Sequence, residues 1–85
     1  MARYYFHSED GRNYPDEEGT ELPSLEAARI EAVRVLGDIL KEDPDEVLSN
    51  GALRVTVTDD AGLIYFALDV SATDAAAGRN RRSGG

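Results

Sequence analysis

The chain has 85 residues, no cysteine and a formal net charge of −8. That length leaves room for a single domain. The lack of cysteine excludes disulfides, thiol catalysis, thiolate zinc sites and iron–sulfur clusters. No apolar run reaches the roughly 18 residues that a spanning helix needs. Met1–His7 carries one basic residue and no apolar segment of signal-peptide length, so the expected location is the cytoplasm.

The charge is uneven. Residues 1–72 hold six basic side chains against sixteen carboxylates, a net of −10, while the remainder adds Asp74, Arg79, Arg81 and Arg82 for a net of +2. An acidic domain repels phosphate backbones at long range. Generic nucleic-acid binding is disfavoured, and a protein partner or a second copy of the chain is the easier association.

Arg3–His7 alternates as a strand, with Tyr4 and Phe6 on one face and Arg3, Tyr5 and His7 on the other. Ser8–Gly11 reads as a turn whose Asp-Gly pair supplies the positive φ of a tight hairpin. A return strand is expected over Arg12–Tyr14, ended by Pro15. Asp16–Gly19 is a further turn, and Thr20–Leu22 a short extended piece.

Ser24 is placed to cap a helix, and Glu26 complements its N-terminal dipole. Leu25, Ala28, Ala32, Val33, Val35, Leu36, Ile39 and Leu40 form one apolar arc. Ala27, Glu31, Arg34, Asp38 and Lys41 lie opposite, with Arg34 and Asp38 spaced for an ion pair. Gly37 costs about 1 kcal/mol in mid-helix, which suggests close packing at that point. Asp43-Pro44 starts a single second turn of helix through Leu48, with Asp43 as its cap, stopped by Ser49-Asn50-Gly51.

Leu53–Thr58 and Leu63–Val70 form the second hairpin around Asp59–Gly62. Leu53, Val55, Val57, Ile64, Phe66, Leu68 and Val70 are expected inside. The fold class is therefore α+β: two β-hairpins flank one amphipathic helix (ββαββ), giving a four-stranded, mainly antiparallel sheet with the helix on one face. Residues 1–71 form the domain, and residues 72–85 read as a disordered tail.

Catalytic and cofactor motifs are missing. The single histidine, His7, has no nucleophile elbow to serve. Counting back from Gly11, Gly19 and Gly62 to the first position of a calcium loop lands on Phe6, Tyr14 and Val57, so no EF-hand is encoded. No phosphate-binding glycine loop is present, and no catalytic residue, cofactor or metal ligand is assigned. The surface of interest is the outer sheet face, expected to display Arg3, Tyr5, His7, Arg54, Thr56, Thr58 and Tyr65. Tyrosine interleaved with arginine suits a protein interface. It also suits base stacking, which the acidic field opposes.

Arg3-Tyr-Tyr-Phe-His7, Asp10-Gly11, Asp16-Glu-Glu-Gly19, Glu21-Leu-Pro23, Leu25-Glu-Ala-Ala-Arg29 and Val57-Thr-Asp-Asp60 together resemble a family of small bacterial domains of unknown function. Its pattern opens R-Y-Y/F-F-H and continues D-x-x-G-x-E-L-P-x-L-x-x-A, here over about residues 2–70. The resemblance implies a small stand-alone cytoplasmic protein of soil- or plant-associated bacteria and carries over no activity. Asp43–Asn50 departs from it as a longer, more acidic connection, and so does the arginine-rich end. Glu26-Ala-Ala-Arg-Ile-Glu-Ala32 is also loosely similar to the helix start of HicB-like antitoxins, which implies an acidic domain covering a small basic protein.

The expectation is a small acidic interaction or regulatory module without catalysis, self-associating through a sheet edge or the Tyr5/Tyr65 face. The alternative is a module binding a small ligand or nucleic acid on the same face, or an antitoxin-like protein.

Overall fold

The computed structural model describes residues 1–75; the expected tail otherwise lies outside the described residues. The described chain runs β1 (Ala2–Glu9), β2 (Asn13–Tyr14), β3 (Thr20–Leu22), α1 (Leu25–Glu42), α2 (Pro44–Asn50), β4 (Ala52–Thr58) and β5 (Ile64–Ser71). An antiparallel α+β architecture is present, with five strands instead of four. β1 is central: β4 pairs along one side of it, and β2 and β3 share the other. β5 pairs with β4 and forms the outer edge.

The extra strand arises because the return from the first hairpin is interrupted. β2 pairs Tyr14 with Ser8, and β3 pairs Thr20 with Tyr4, so residues 15–19 bow out opposite Tyr5–His7. Pro15 lacks the N–H that would continue the ladder, and Gly19 takes φ +73 where the chain rejoins it. A Cβ at Gly19 would stand 2.8 Å from Arg3 Cγ, 2.9 Å from Tyr5 Cε2 and 3.0 Å from the Tyr4 carbonyl oxygen. Glycine is required there on conformation and on space.

α1 begins as its sequence implies, with the Ala27 N–H donating to Ser24 Oγ at 3.1 Å. It buries Ala28, Ala32 and Leu36 against the sheet, and the two alanines let the helix approach closely. The apolar arc is narrower than the wheel suggests, since Val33 is 56% and Leu25 37% exposed. The helix sits chiefly over β4, and Val33, one position round from the buried Ala32, is left in solvent. Gly37 is not closely packed: a Cβ there meets nothing within 4 Å. Arg34 pairs with Glu31 at 3.6 Å and not with Asp38.

α2 runs two residues past Leu48 and ends on left-handed Gly51. Asp43 makes no side-chain cap, which leaves its carboxylate free to face the neighbouring turn. The core joins Tyr4, Phe6, Leu53, Val55 and Val57 to the helix residues and Val47. Leu53, Val55 and Val57 are essentially sealed, worth about 1.5–3 kcal/mol each.

The β4–β5 hairpin holds one irregularity. Val57 pairs with Phe66 but Thr58 with Ile64, so Tyr65 is the extra residue of a bulge. The bulge reverses parity at the strand's start. Ile64, expected inside, is 64% exposed, whereas Phe66, Leu68 and Val70 remain half-buried on the helix side.

Candidate functional site

On the outer face of β1, Tyr5 and His7 stand two residues apart and stack, with ring centroids 6.4 Å apart and planes 8° from parallel. His7 is wired at both nitrogens. Nδ1 accepts the Asp16 N–H at 3.0 Å, and Nε2 lies 3.0 Å from Thr58 Oγ1. The Thr58 hydroxyl in turn donates to the Asp59 carbonyl at 3.0 Å. An acceptor at Nδ1 places the proton at Nε2, so His7 is the donor to Thr58. In this tautomer its lone pair faces the backbone of the loop. It cannot take a proton from the Thr58 hydroxyl, although histidine, threonine and aspartate are clustered as they are in nucleophilic sites.

Asp16 organises the loop over that face. Its carboxylate accepts the N–H groups of Phe6, Glu18 and Gly19, each at 3.1 Å. Burial raises its pKa, but the three amides outweigh burial and hold it below the ordinary aspartate value. Sequence reasoning read this segment as a plain turn. The signal available was the Asp-x-x-Gly spacing, in which an aspartate bonds backbone two and three residues on. Asp59 repeats the device in the second hairpin, its Oδ1 accepting from Ala61 and Leu63 at 2.9 Å.

The face's two arginines are already engaged. Arg3 donates to the Glu18 carbonyl at 2.8 Å and pairs with Glu21 at 3.3 Å. Arg54 grips the directly opposite Asp69 with two bonds of 2.7 and 3.3 Å. Thr56 is half-buried opposite His7, and Thr58 is 5% exposed.

Tyr65 does not join this face. The bulge turns its ring onto the core residue Tyr4, edge-on at 6.0 Å, with its hydroxyl 3.4 Å from Asp59 Oδ2. Burial first, then the Asp59 charge and hydrogen bond, push its phenol above the ordinary value. Arg3, Tyr5, His7, Arg54, Thr56 and Thr58 thus share one face of β1 and β4, without Tyr65.

A shallow cleft of 230 Å³ lies beside Tyr5, His7 and Thr58, walled by Asp16, Asp59 and Asp60. Carboxylates dominate its rim, which disfavours phosphate. Among the described residues no three histidine or carboxylate side chains come together as a metal site. No helix among them is long and apolar enough to cross a membrane.

Outside this face, Arg29 of α1 lies over the Phe66 ring at 4.6 Å. This contact ties α1 to β5, and nothing in the local sequence signalled it.

No curated protein and no solved structure matches the chain. A family model does, over residues 3–71, and the chain belongs to the family described as Domain of unknown function (DUF6894).

Proposed function

We propose that this domain acts by binding a protein chain, without catalysis, and that the element it uses is the open edge of β5. The carrying observation is the asymmetry of the sheet's two edges. One edge is broken into β2 and β3 by the Pro15–Gly19 excursion. The other is the eight-residue β5, which among the described residues pairs only with β4. β5 carries no lysine or proline to block further pairing, and its bulge lies at its start.

The flank beside that edge is apolar. Phe66, Leu68 and Val70 are half-buried, and Val33 follows Arg29, which lies over Phe66, by one turn of α1. The only charged residue of β5, Asp69, is neutralised by Arg54. The strip is locally uncharged on an otherwise acidic domain, so two copies can meet there with least repulsion. Antiparallel pairing of β5 with β5 of a second copy is self-complementary about a two-fold axis. We therefore assign the partner as a second copy, in the cytoplasm, giving a homodimer with one continuous sheet.

Absolute mass by light scattering over a dilution series tests this. The expected result is a dimer that dissociates on dilution, and a monomer at much lower dilution for Ala67→Glu. Ala67 is exposed on β5 beside Asp69, so the change adds charge to the edge without touching the core. A monomer at every concentration, or an Ala67→Glu dimer as tight as the parent, would sink the proposal.

A further inference from the structure

The backbone of β5 is already sorted into an inner and an outer set. The Ala72 N–H donates to the Gly51 carbonyl at 2.9 Å, and β4 and β5 stay in step from Ala52↔Ser71 to Val57↔Phe66. Phe66, Leu68 and Val70 therefore turn their backbone groups to β4, while Ala67, Asp69 and Ser71 turn theirs outward. The side chains divide in the same way. The first three are half-buried on the helix side, and the second three are exposed on the outer face.

A two-fold axis normal to the sheet pairs each residue with one on the same face, so it passes between two copies of one residue. An axis at Phe66 or Ala67 would set Ala67 or Asp69 against the bulge residue Tyr65. An axis at Asp69 would place two carboxylates directly opposite each other. An axis at Val70 would leave Phe66 facing residues past Ser71, where the strand has ended. An axis at Leu68 avoids all three faults. Phe66 then faces Val70 of the second copy, Asp69 faces Ala67, and Leu68 faces Leu68.

α1 marks the same point. It starts beside Ala2, the partner of Leu22, at the end of the sheet where β4 finishes and β5 begins. It ends at the turn that leads through α2 to Ala52, opposite Ser71. The helix thus runs in the direction of β5, with Arg29 over the Phe66 ring. Val33 comes one turn later, about 6 Å or nearly two strand residues further on, level with Leu68.

We infer that two copies join about an axis at Leu68, where Leu68 meets Leu68 and the exposed Val33 of each α1 closes over that contact. This register rests on the β5 pairing proposed above. The central pair is a non-hydrogen-bonded one, with Cα atoms about 4.5 Å apart and side chains in close approach. The helix-side strip of Phe66, Leu68 and Val70 becomes apolar from end to end across both copies, with each Asp69 held by its own Arg54 on the opposite face.

The chain has no cysteine, so single-cysteine variants report the register directly. Ala67→Cys and Asp69→Cys, both on the exposed face, are equilibrated in a glutathione redox buffer, separately and as an equal mixture. With the axis at Leu68, positions 67 and 69 of opposite copies face each other with Cα atoms about 5.5 Å apart, within disulfide range. Like positions lie roughly 8–9 Å apart, beyond that range. The mixture should give the disulfide-linked dimer in about tenfold excess over either variant alone. Efficient self-linking of Ala67→Cys or of Asp69→Cys would overturn the register and leave the β5 pairing standing. A dimer by light scattering in which nothing links would also overturn the register. A monomer at every concentration would sink the β5 pairing itself, and the register with it.

Val33→Ser reads the contact from the helix. The dimer dissociation constant should rise about tenfold. Leu48→Ser, a comparable loss of exposed apolar surface on α2, should leave it unchanged. An unchanged constant in Val33→Ser would overturn the α1 contact.

Discussion

Asp16 is the residue on which the outer face depends. Three backbone amides from two separate segments converge on its carboxylate, and its own N–H sets the histidine tautomer. Asp16→Ala should cost about 2–4 kcal/mol in urea unfolding, since hydrogen bonds to a charged acceptor are each worth about 1.5–3 kcal/mol but are not additive. The pH dependence follows from the lowered pKa. The folded state holds this proton less tightly than the unfolded chain. The Asp16 contribution is therefore fully present above the unfolded value and is lost as the pH falls through the folded one. Unfolding free energies measured from pH 6 downward should drop more steeply below about pH 4 in the parent than in Asp16→Asn. Glu46 has the opposite sign: its raised pKa favours the folded state at low pH, and that contribution fades as the pH rises through the folded value. Nitrogen NMR of His7 should report the neutral tautomer protonated at Nε2, and Asp16→Ala should release the ring to exchange between tautomers.

At the scale of elements, the two mid-chain glycines separate cleanly. Gly19→Ala forces a side chain into Arg3, Tyr5 and the Tyr4 carbonyl at a left-handed position, and should destabilise by about 2 kcal/mol or more. Gly37→Ala adds a methyl in open space within an ordinary helix and should stabilise by about 1 kcal/mol, read as a higher melting temperature.

The contrast bears on what could be read from sequence. The Ser24 cap, the start of α1 and the inward parity of Tyr4, Phe6, Leu53, Val55 and Val57 rest on local periodicity and were legible. The β3 pairing, the bulge at Tyr65 and the burial of Asp10 depend on which segment packs against which. Periodicity is silent on that. The same reason accounts for the site. Tyr5, His7 and Thr58 share a face by simple alternation, but Asp16 joins them only because the loop folds back over β1. Tyr65 leaves the face because a single extra residue shifts its parity. Val33 is exposed despite its place on the apolar arc because α1 buries only the narrow stripe of Ala28, Ala32 and Leu36.

For the whole molecule, the balance lies between a bare, uncharged strand edge and a net charge of −8. A domain of this size buries a smaller fraction of its surface than a larger one, so completing the sheet with a second copy adds apolar burial. Repulsion between two acidic chains opposes this and is screened by salt, with a Debye length of about 10 Å at 0.1 M. Self-association should therefore tighten as sodium chloride rises, the reverse of a nucleic-acid complex. Light scattering at low and high salt reads the difference directly.

The most direct test of the edge-pairing account is amide hydrogen exchange of β5 as a function of protein concentration. In a monomer, every second amide of Phe66–Ser71 points away from β4 into solvent. If β5 pairs with a second copy, those outward amides should gain protection as the concentration rises, while β2 and β3 stay unchanged. Outward β5 amides that exchange freely at every concentration, or protection that grows at the β2–β3 edge instead, would contradict it.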